Sequence, residues 1–72
     1  MNSIILVFTK HAKFKMIELG ISKEQIKLVI QRGSKSKQTD GYLAAFTYVK
    51  VAYKKINKDT YKIKTVYIST GY

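Results

Sequence analysis

The order of apolar and polar residues divides the chain into a helical first half and a β-rich second half. The apolar run Ile4 to Phe8 predicts a short strand that is buried on both faces. Thr9 suits the N-cap of a helix, because its hydroxyl can accept a backbone N–H of the first turn. Ala12, Met16 and Leu19 then follow at i, i+4 and i+7, the spacing of one buried helical stripe.

A second helix is predicted after a connection of only two residues. Gly20 stands where a left-handed residue ends the first helix. Ser22 and Gln25 have the spacing of a capping box, in which each side chain binds the other residue's backbone N–H. The helix ends before Gly33, and its buried stripe consists of Ile26, Val29 and Ile30.

The second half of the chain has the composition and the turn signals of β-structure. Asp40-Gly41 is a tight-turn signal, and residues 34–38 before it can pair as an edge strand protected by lysines. Aromatic and β-branched residues predict one long strand over 42–56 and a final strand over 61–69, with a turn at 57–59 between them. The predicted fold class is α+β in a single domain, residues 1–72. Its order is β-α-α-β-β-β, with both helices on one face of an antiparallel sheet.

Alternation along the predicted strands assigns their side chains to two faces. The predicted sets are Tyr42, Phe46, Tyr48 and Lys50 on one face and Leu43, Ala45, Val49, Val51 and Tyr53 on the other, with Tyr61, Ile63, Thr65 and Tyr67 sharing one face of the last strand. One face must pack against the helices. The other face then exposes tyrosines between lysines, which suits base stacking and phosphate contact. The alternative is that the tyrosines pack as cross-strand pairs at the sheet edges.

The charge of the chain points to an anionic partner. The chain has fourteen lysines and arginines but only four acidic residues, for a net charge of +10. Unbalanced positive charge of this kind attracts polyanions. The alternative is a merely solvated basic surface. The residues predicted to contact nucleic acid are Lys10, Lys13, Arg32, Tyr48, Lys50 and Lys54.

Other functional classes are disfavoured by the composition. No cysteine and one histidine occur among 72 residues, so we expect no disulfide, no metal site and no cofactor. The longest apolar run is far shorter than a membrane span and lacks the flanks of a signal peptide. The sequence therefore predicts a cytoplasmic protein with no membrane contact.

His11 is the one imidazole available for proton transfer. His11 and Lys15 are i, i+4 neighbours on the first helix, and Glu18 lies on the same flank. Metal-independent cleavage of RNA needs a base, an acid and cations around the phosphate. We expect His11 to move a proton, Lys15 and Arg32 to bind phosphate, and Tyr67 or a lysine to carry the second proton. Alternatively, His11 is an ordinary polar residue at the seam between helix and sheet.

Three short motifs resemble a group of small prokaryotic domains of unknown function. HAKFKM and GIS are similar to the group's T-K-H-A-x-x-R-M and R-G-I-S, and IKTVY is similar to its closing V-x-T-V-Y. Lys15 and Leu19 stand where arginines are usual in the group. The group resembles the RelE/ParE-like, barnase-type (BECR) superfamily of small toxins and ribonucleases.

The resemblance implies a RelE-like fold and a metal-independent endoribonuclease of toxin–antitoxin type. It also implies RNA and an acidic antitoxin protein as partners, and it adds Thr65 to the candidate catalytic residues His11, Lys15 and Tyr67. Two alternatives lack catalysis. One is a module that binds nucleic acid or an acidic protein on the same scaffold, and the other is a homodimer formed through an aromatic sheet face.

Overall fold

Two helices cover one face of a five-stranded mixed sheet in the computed structural model, which describes residues 4–69. The elements are β1 (Ile5–Phe8), α1 (Lys10–Leu19), α2 (Lys23–Arg32), β2 (Ser34–Gln38), β3 (Gly41–Phe46), β4 (Val49–Lys55) and β5 (Thr60–Ile68). The sheet order is β1-β5-β4-β3-β2, in which β1 pairs parallel to β5 and the other pairs are antiparallel. The predicted α+β class and the order of its elements are confirmed, with one strand more than predicted. The sheet is mixed rather than wholly antiparallel as predicted, because β1 pairs parallel to β5. With ten residues each, the two helices of this region are too short to cross a bilayer.

The first helix begins and ends as its sequence predicts. The Thr9 hydroxyl accepts the Ala12 N–H at 3.0 Å and donates to the Lys64 carbonyl at 3.1 Å, so the cap also ties α1 to β5. At the other end, Gly20 has φ of +70°. The Ile21 N–H then reaches back to the Met16 carbonyl at 2.9 Å, which closes the last turn.

The second helix has the predicted capping box. The Gln25 side chain accepts the Ser22 N–H at 2.9 Å, and the Ser22 hydroxyl accepts the Gln25 N–H at 3.2 Å. Gly33 ends the helix in an extended conformation. A Cβ at Gly33 would collide with the Val29 carbonyl oxygen of α2 and would lie 2.6 Å from the Ala45 carbonyl oxygen of β3, so the close approach of both backbone segments requires glycine here.

The core lies between the helices and one face of the sheet. α1 packs mainly on β5, whereas α2 packs on β3 and β4. The buried residues of the core are Ala12, Met16, Ile21, Ile26, Val29, Ile30, Ala44, Val49, Val51, Tyr53, Ile63 and Val66. The predicted helix stripes are therefore confirmed, with Leu19 partly buried against this core.

The long strand predicted over 42–56 is wrong, because a hairpin divides it into β3 and β4. Thr47 and Tyr48 form the turn, and Thr47 has φ of +56°. The hairpin places Phe46 opposite Val49 and Tyr42 opposite Tyr53, so these residues share the helix-covered face rather than lying on opposite faces. Buried pairing of apolar residues across the hairpin outweighs the strain of a threonine in the left-handed region.

The predicted face of β5 is also wrong, because a β-bulge interrupts its alternation. Ala52 pairs with Thr65 while the next residue, Tyr53, pairs with Ile63, so Lys64 is the extra residue. Tyr61 and Ile63 therefore lie on the helix-covered side, and Thr65 and Tyr67 lie on the other side.

The edges of the sheet differ in character. β2 is the lysine-bearing edge strand that the sequence predicts, and all five of its residues are exposed. β1 is not buried on both faces, contrary to expectation. Within residues 4–69 it pairs only with β5, and its Ile5 side chain is 57% exposed because both helices cover the opposite face of the sheet.

Candidate nucleic-acid interface

The face of the sheet that the helices leave uncovered carries a group of lysines. In β4, the buried residues Val49, Val51 and Tyr53 alternate with residues that point to this open face. Those outward residues include Lys50 and Lys54. On β5, Lys62 pairs with Lys54, and Tyr67 pairs with Lys50. We define the open-face lysines as Lys50, Lys54, Lys62 and Lys64.

Two of these lysines are directly opposed. Lys54 and Lys62 occupy paired positions on neighbouring antiparallel strands, where like charges destabilise a sheet. Lys50 lies four residues before Lys54 on the same strand, about 13 Å away at the usual rise. Basic groups thus stand at both ends of a shallow surface. The residues between them include the small side chains Ala52 and Thr65.

One carboxylate partly offsets this charge. Asp40, in the turn between β2 and β3, lies 3.4 Å from the Lys54 ammonium and 3.5 Å from that of Lys64. Lys64 also donates to the Asp40 carbonyl oxygen. The hydrogen bond from Lys54 and the charges of both lysines lower the pKa of the Asp40 carboxyl. Four lysines against one aspartate leave this group with a charge of +3.

The predicted catalytic residues lie on two sides of the sheet. His11 is exposed in the first turn of α1. Lys15 donates to Glu18 at 2.9 Å, which confirms that these two residues share a flank of the helix. Thr65 and Tyr67 point to the open face instead, so the structure does not bring them together with the α1 pair.

The residues predicted to contact nucleic acid are likewise divided among four places. Lys10 and Lys13 are exposed on α1, and Arg32 is exposed at the end of α2. Tyr48 lies in the turn between β3 and β4, while Lys50 and Lys54 belong to the open face.

The prediction missed Lys62 and Lys64. The bulge at Lys64 makes ordinary alternation unreliable in β5. The pairing with Lys54 assigns Lys62 to the open face, and the shared contact with Asp40 places the Lys64 ammonium beside that of Lys54. The signal present in the sequence was the spacing of the two lysines around Ile63. Within residues 4–69, no three histidine or acidic side chains cluster closely enough to hold a metal ion.

Comparison with known proteins yields one family. The model described as Domain of unknown function (DUF4258) matches residues 8–68, which includes both helices and the strands β2 to β5. No curated protein and no solved structure matches the chain significantly.

Proposed function

We propose that this chain, which belongs to the DUF4258 family of domains of unknown function, is a small cytoplasmic protein that binds RNA on the open face of its sheet. The observation that carries the proposal is the direct opposition of Lys54 and Lys62. Such a pair costs stability in the free protein. A phosphate backbone placed over it replaces that repulsion with attraction.

The pairing of an exposed tyrosine with a lysine on the open face favours single-stranded RNA. Tyr67 is exposed beside Lys50, and an aromatic ring beside a cation can stack a base while the cation contacts phosphate. Single strands present bases that are free to stack, whereas the bases of an A-form helix are already stacked on each other. Asp40 repels phosphate at the end of the face marked by Lys54 and Lys64, and so limits how tightly the backbone can be held there.

The proposal is tested by the salt dependence of binding to a fluorescently labelled single-stranded RNA. Replacing Lys54 and Lys62 together by glutamine removes two phosphate contacts. We therefore expect the log–log salt slope to become shallower by about 1.4 and the affinity at low salt to fall roughly tenfold.

A matched control variant has the same net charge as the Lys54/Lys62 double variant. Lys27 on α2 and Lys58 in the turn before β5 are both exposed, and neither is an open-face lysine. Their double replacement by glutamine should change the affinity much less. Equal losses in the two double variants would mean that RNA responds only to net charge, and the open face would not be a binding site.

The resemblance to RelE/ParE-like toxins extends this proposal to a metal-independent endoribonuclease of toxin–antitoxin type. Its support is the exposed imidazole of His11, on the same helix as the ion-paired Lys15. His11 would move the proton, and Lys15 and Arg32 would hold phosphate. RNA bound on the open face would have to pass the sheet edge to reach them.

Cleavage is tested with end-labelled RNA in the presence of a chelator. We compare the wild type with His11→Ala and with Lys27→Ala, which removes an exposed residue elsewhere on the helix layer. Fragments that disappear only with His11→Ala support the ribonuclease. RNA binding without cleavage by any of the three proteins would leave a non-catalytic binding module.

A further inference from the structure

A groove of about 480 Å³ lies where α1 ends and α2 begins. Its floor is apolar and includes Phe8, Met16, Ile17 and Ile21. Because α1 and α2 lie on the helix-covered side, the groove is separated from the open-face lysines by the full thickness of the sheet. The RNA proposal does not use this surface.

The apolar surface continues beyond the groove along α1. The Ile17 side chain is 82% exposed and that of Phe14 is 64% exposed. These two residues are three apart, so they adjoin on one side of the helix. Ile17 and Phe14 do not belong to the stripe that α1 buries, which runs through Ala12 and Met16. Two large apolar groups are therefore left in water beside a groove, which is typical of an interaction site.

The rim of the groove is basic. Lys13 and Lys23 line it, and no acidic residue does. The Lys23 ammonium lies 5.9 Å from the centre of the Phe8 ring, which keeps a positive charge directly at the apolar floor. A partner surface must therefore combine apolar anchors with negative charge around them.

We propose that this groove docks an acidic amphipathic helix of another protein. Apolar residues of such a helix would fill the groove and cover Ile17 and Phe14, while its flanking carboxylates would meet Lys13 and Lys23. A second copy of this chain is a poorer occupant, because each copy carries a net charge of +10. A small molecule is also a poorer occupant, because the exposed apolar surface extends outside the groove to Phe14.

The probe for this test is a synthetic peptide of about five helical turns. It carries leucines at i, i+3, i+4 and i+7 and glutamates at the remaining positions. A second peptide keeps the leucines and replaces every glutamate by lysine. We expect the acidic peptide to bind and the basic one to bind about a hundredfold more weakly, because its lysines would face the basic rim of the groove. We also expect the amide signals of the groove residues to shift in NMR spectra of the labelled protein.

Variants separate docking from charge alone. Ile17→Ser keeps the net charge and should weaken binding of the acidic peptide roughly tenfold, because it removes the central apolar anchor. Ile56→Ser alters an exposed isoleucine outside the groove and should have little effect. Lys23→Gln should weaken binding more than Lys27→Gln, which removes the same charge from the same helix.

Three results would overturn the proposal. Equal affinity of wild type and Ile17→Ser would mean that the peptide binds by charge alone. Self-association of the protein, abolished by Ile17→Ser in sedimentation experiments, would assign the groove to a second copy. Binding of decanoate but not of the acidic peptide would assign it to a small apolar anion. RNA affinity should be unchanged by Ile17→Ser, so failure here is distinguishable from failure of the RNA proposal.

Discussion

Lys54 on β4 lies directly opposite Lys62 on β5, on the face of the sheet that α1 and α2 leave uncovered. Like charges at directly opposed positions of neighbouring strands repel, so this pair lowers the stability of the sheet. The turn residue Asp40 reduces that cost, since it pairs with Lys54 and with the bulge residue Lys64. One carboxylate thus offsets part of the charge of the four open-face lysines and leaves a net positive surface.

Replacing Lys62 by glutamine should stabilise the free protein while weakening its proposed binding of RNA. Removing the repulsion with Lys54 should raise the free energy of unfolding by about 0.2–1 kcal/mol at low salt. Urea denaturation measures this change, and the gain should shrink in high salt because the charges are screened. Lys58→Gln is the control, and a gain of equal size in that variant would show that only net charge matters.

Replacing Asp40 by asparagine should increase the affinity for single-stranded RNA by about two- to threefold. The substitution removes the negative charge that competes with phosphate for Lys54 and Lys64. Asp59→Asn, in the turn before β5, removes a carboxylate for which no ion pair is found in residues 4–69. Titration of labelled RNA compares the two variants. Equal gains would contradict a specific role of Asp40.

The same residue should contribute stability near neutral pH that is lost in the acid range. The hydrogen bond from Lys54 and the nearby lysine charges lower the pKa of the Asp40 carboxyl in the folded state. Its contribution is therefore present above the ordinary aspartate pKa and is lost as the pH falls through the lowered value. Urea denaturation between neutral pH and the acid range should show a smaller loss of stability for Asp40→Asn than for the wild type. A larger loss would reverse this sign.

The two helix-ending glycines should differ in their tolerance of alanine. At Gly33 a Cβ would lie 2.6 Å from the Ala45 carbonyl oxygen, and backbone cannot rotate away, so we expect a loss of about 2–3 kcal/mol. At Gly20 a Cβ meets no atom within 4 Å, and only the φ of +70° resists alanine, which costs about 1 kcal/mol. Denaturation with urea measures both values. Similar losses would mean that the backbone around Gly33 can shift to accept a Cβ.

Tyr53 should make the fold sensitive to alkaline pH. The Tyr53 side chain is 3% exposed. Its burial, followed by the charges of Tyr61 and Tyr42, raises its pKa. The neutral phenol of buried Tyr53 therefore contributes to the free energy of unfolding. This contribution is fully present below the ordinary tyrosine pKa of about 10 and is lost as the pH rises through the raised pKa of Tyr53. Tyr53→Phe should therefore lose less stability above pH 10 than the wild type. Tyr48→Phe, which alters an exposed tyrosine, should behave like the wild type.

Helix boundaries were predictable because their determinants are close in sequence. The Thr9 hydroxyl reaches Ala12, and Ser22 and Gln25 bind each other. Each contact joins residues three apart, so the local pattern contains both partners. The buried stripes of α1 and α2 follow from helical spacing in the same way.

The faces of the strands were not predictable in the same way. Thr47 and Tyr48 carry none of the usual glycine, asparagine or aspartate signals of a two-residue turn, so β3 and β4 read as one strand. The bulge at Lys64 has no signal of its own either, and it moves Thr65 and Tyr67 to the open face. Both features are stabilised by pairing between strands, such as Tyr42 with Tyr53, rather than by neighbouring residues.

The sequence by itself determined the types of elements, their order and the excess of positive charge, because these depend on composition and on short-range periodicity. Only the tertiary structure decided which charges act together. Lys50 and Lys54 share a face with Lys62 and Lys64 because of the register between β4 and β5, including the bulge at Lys64. Asp40 meets two of these lysines because the turn between β2 and β3 lies beside them. Register depends on contacts between distant residues, which no local pattern contains.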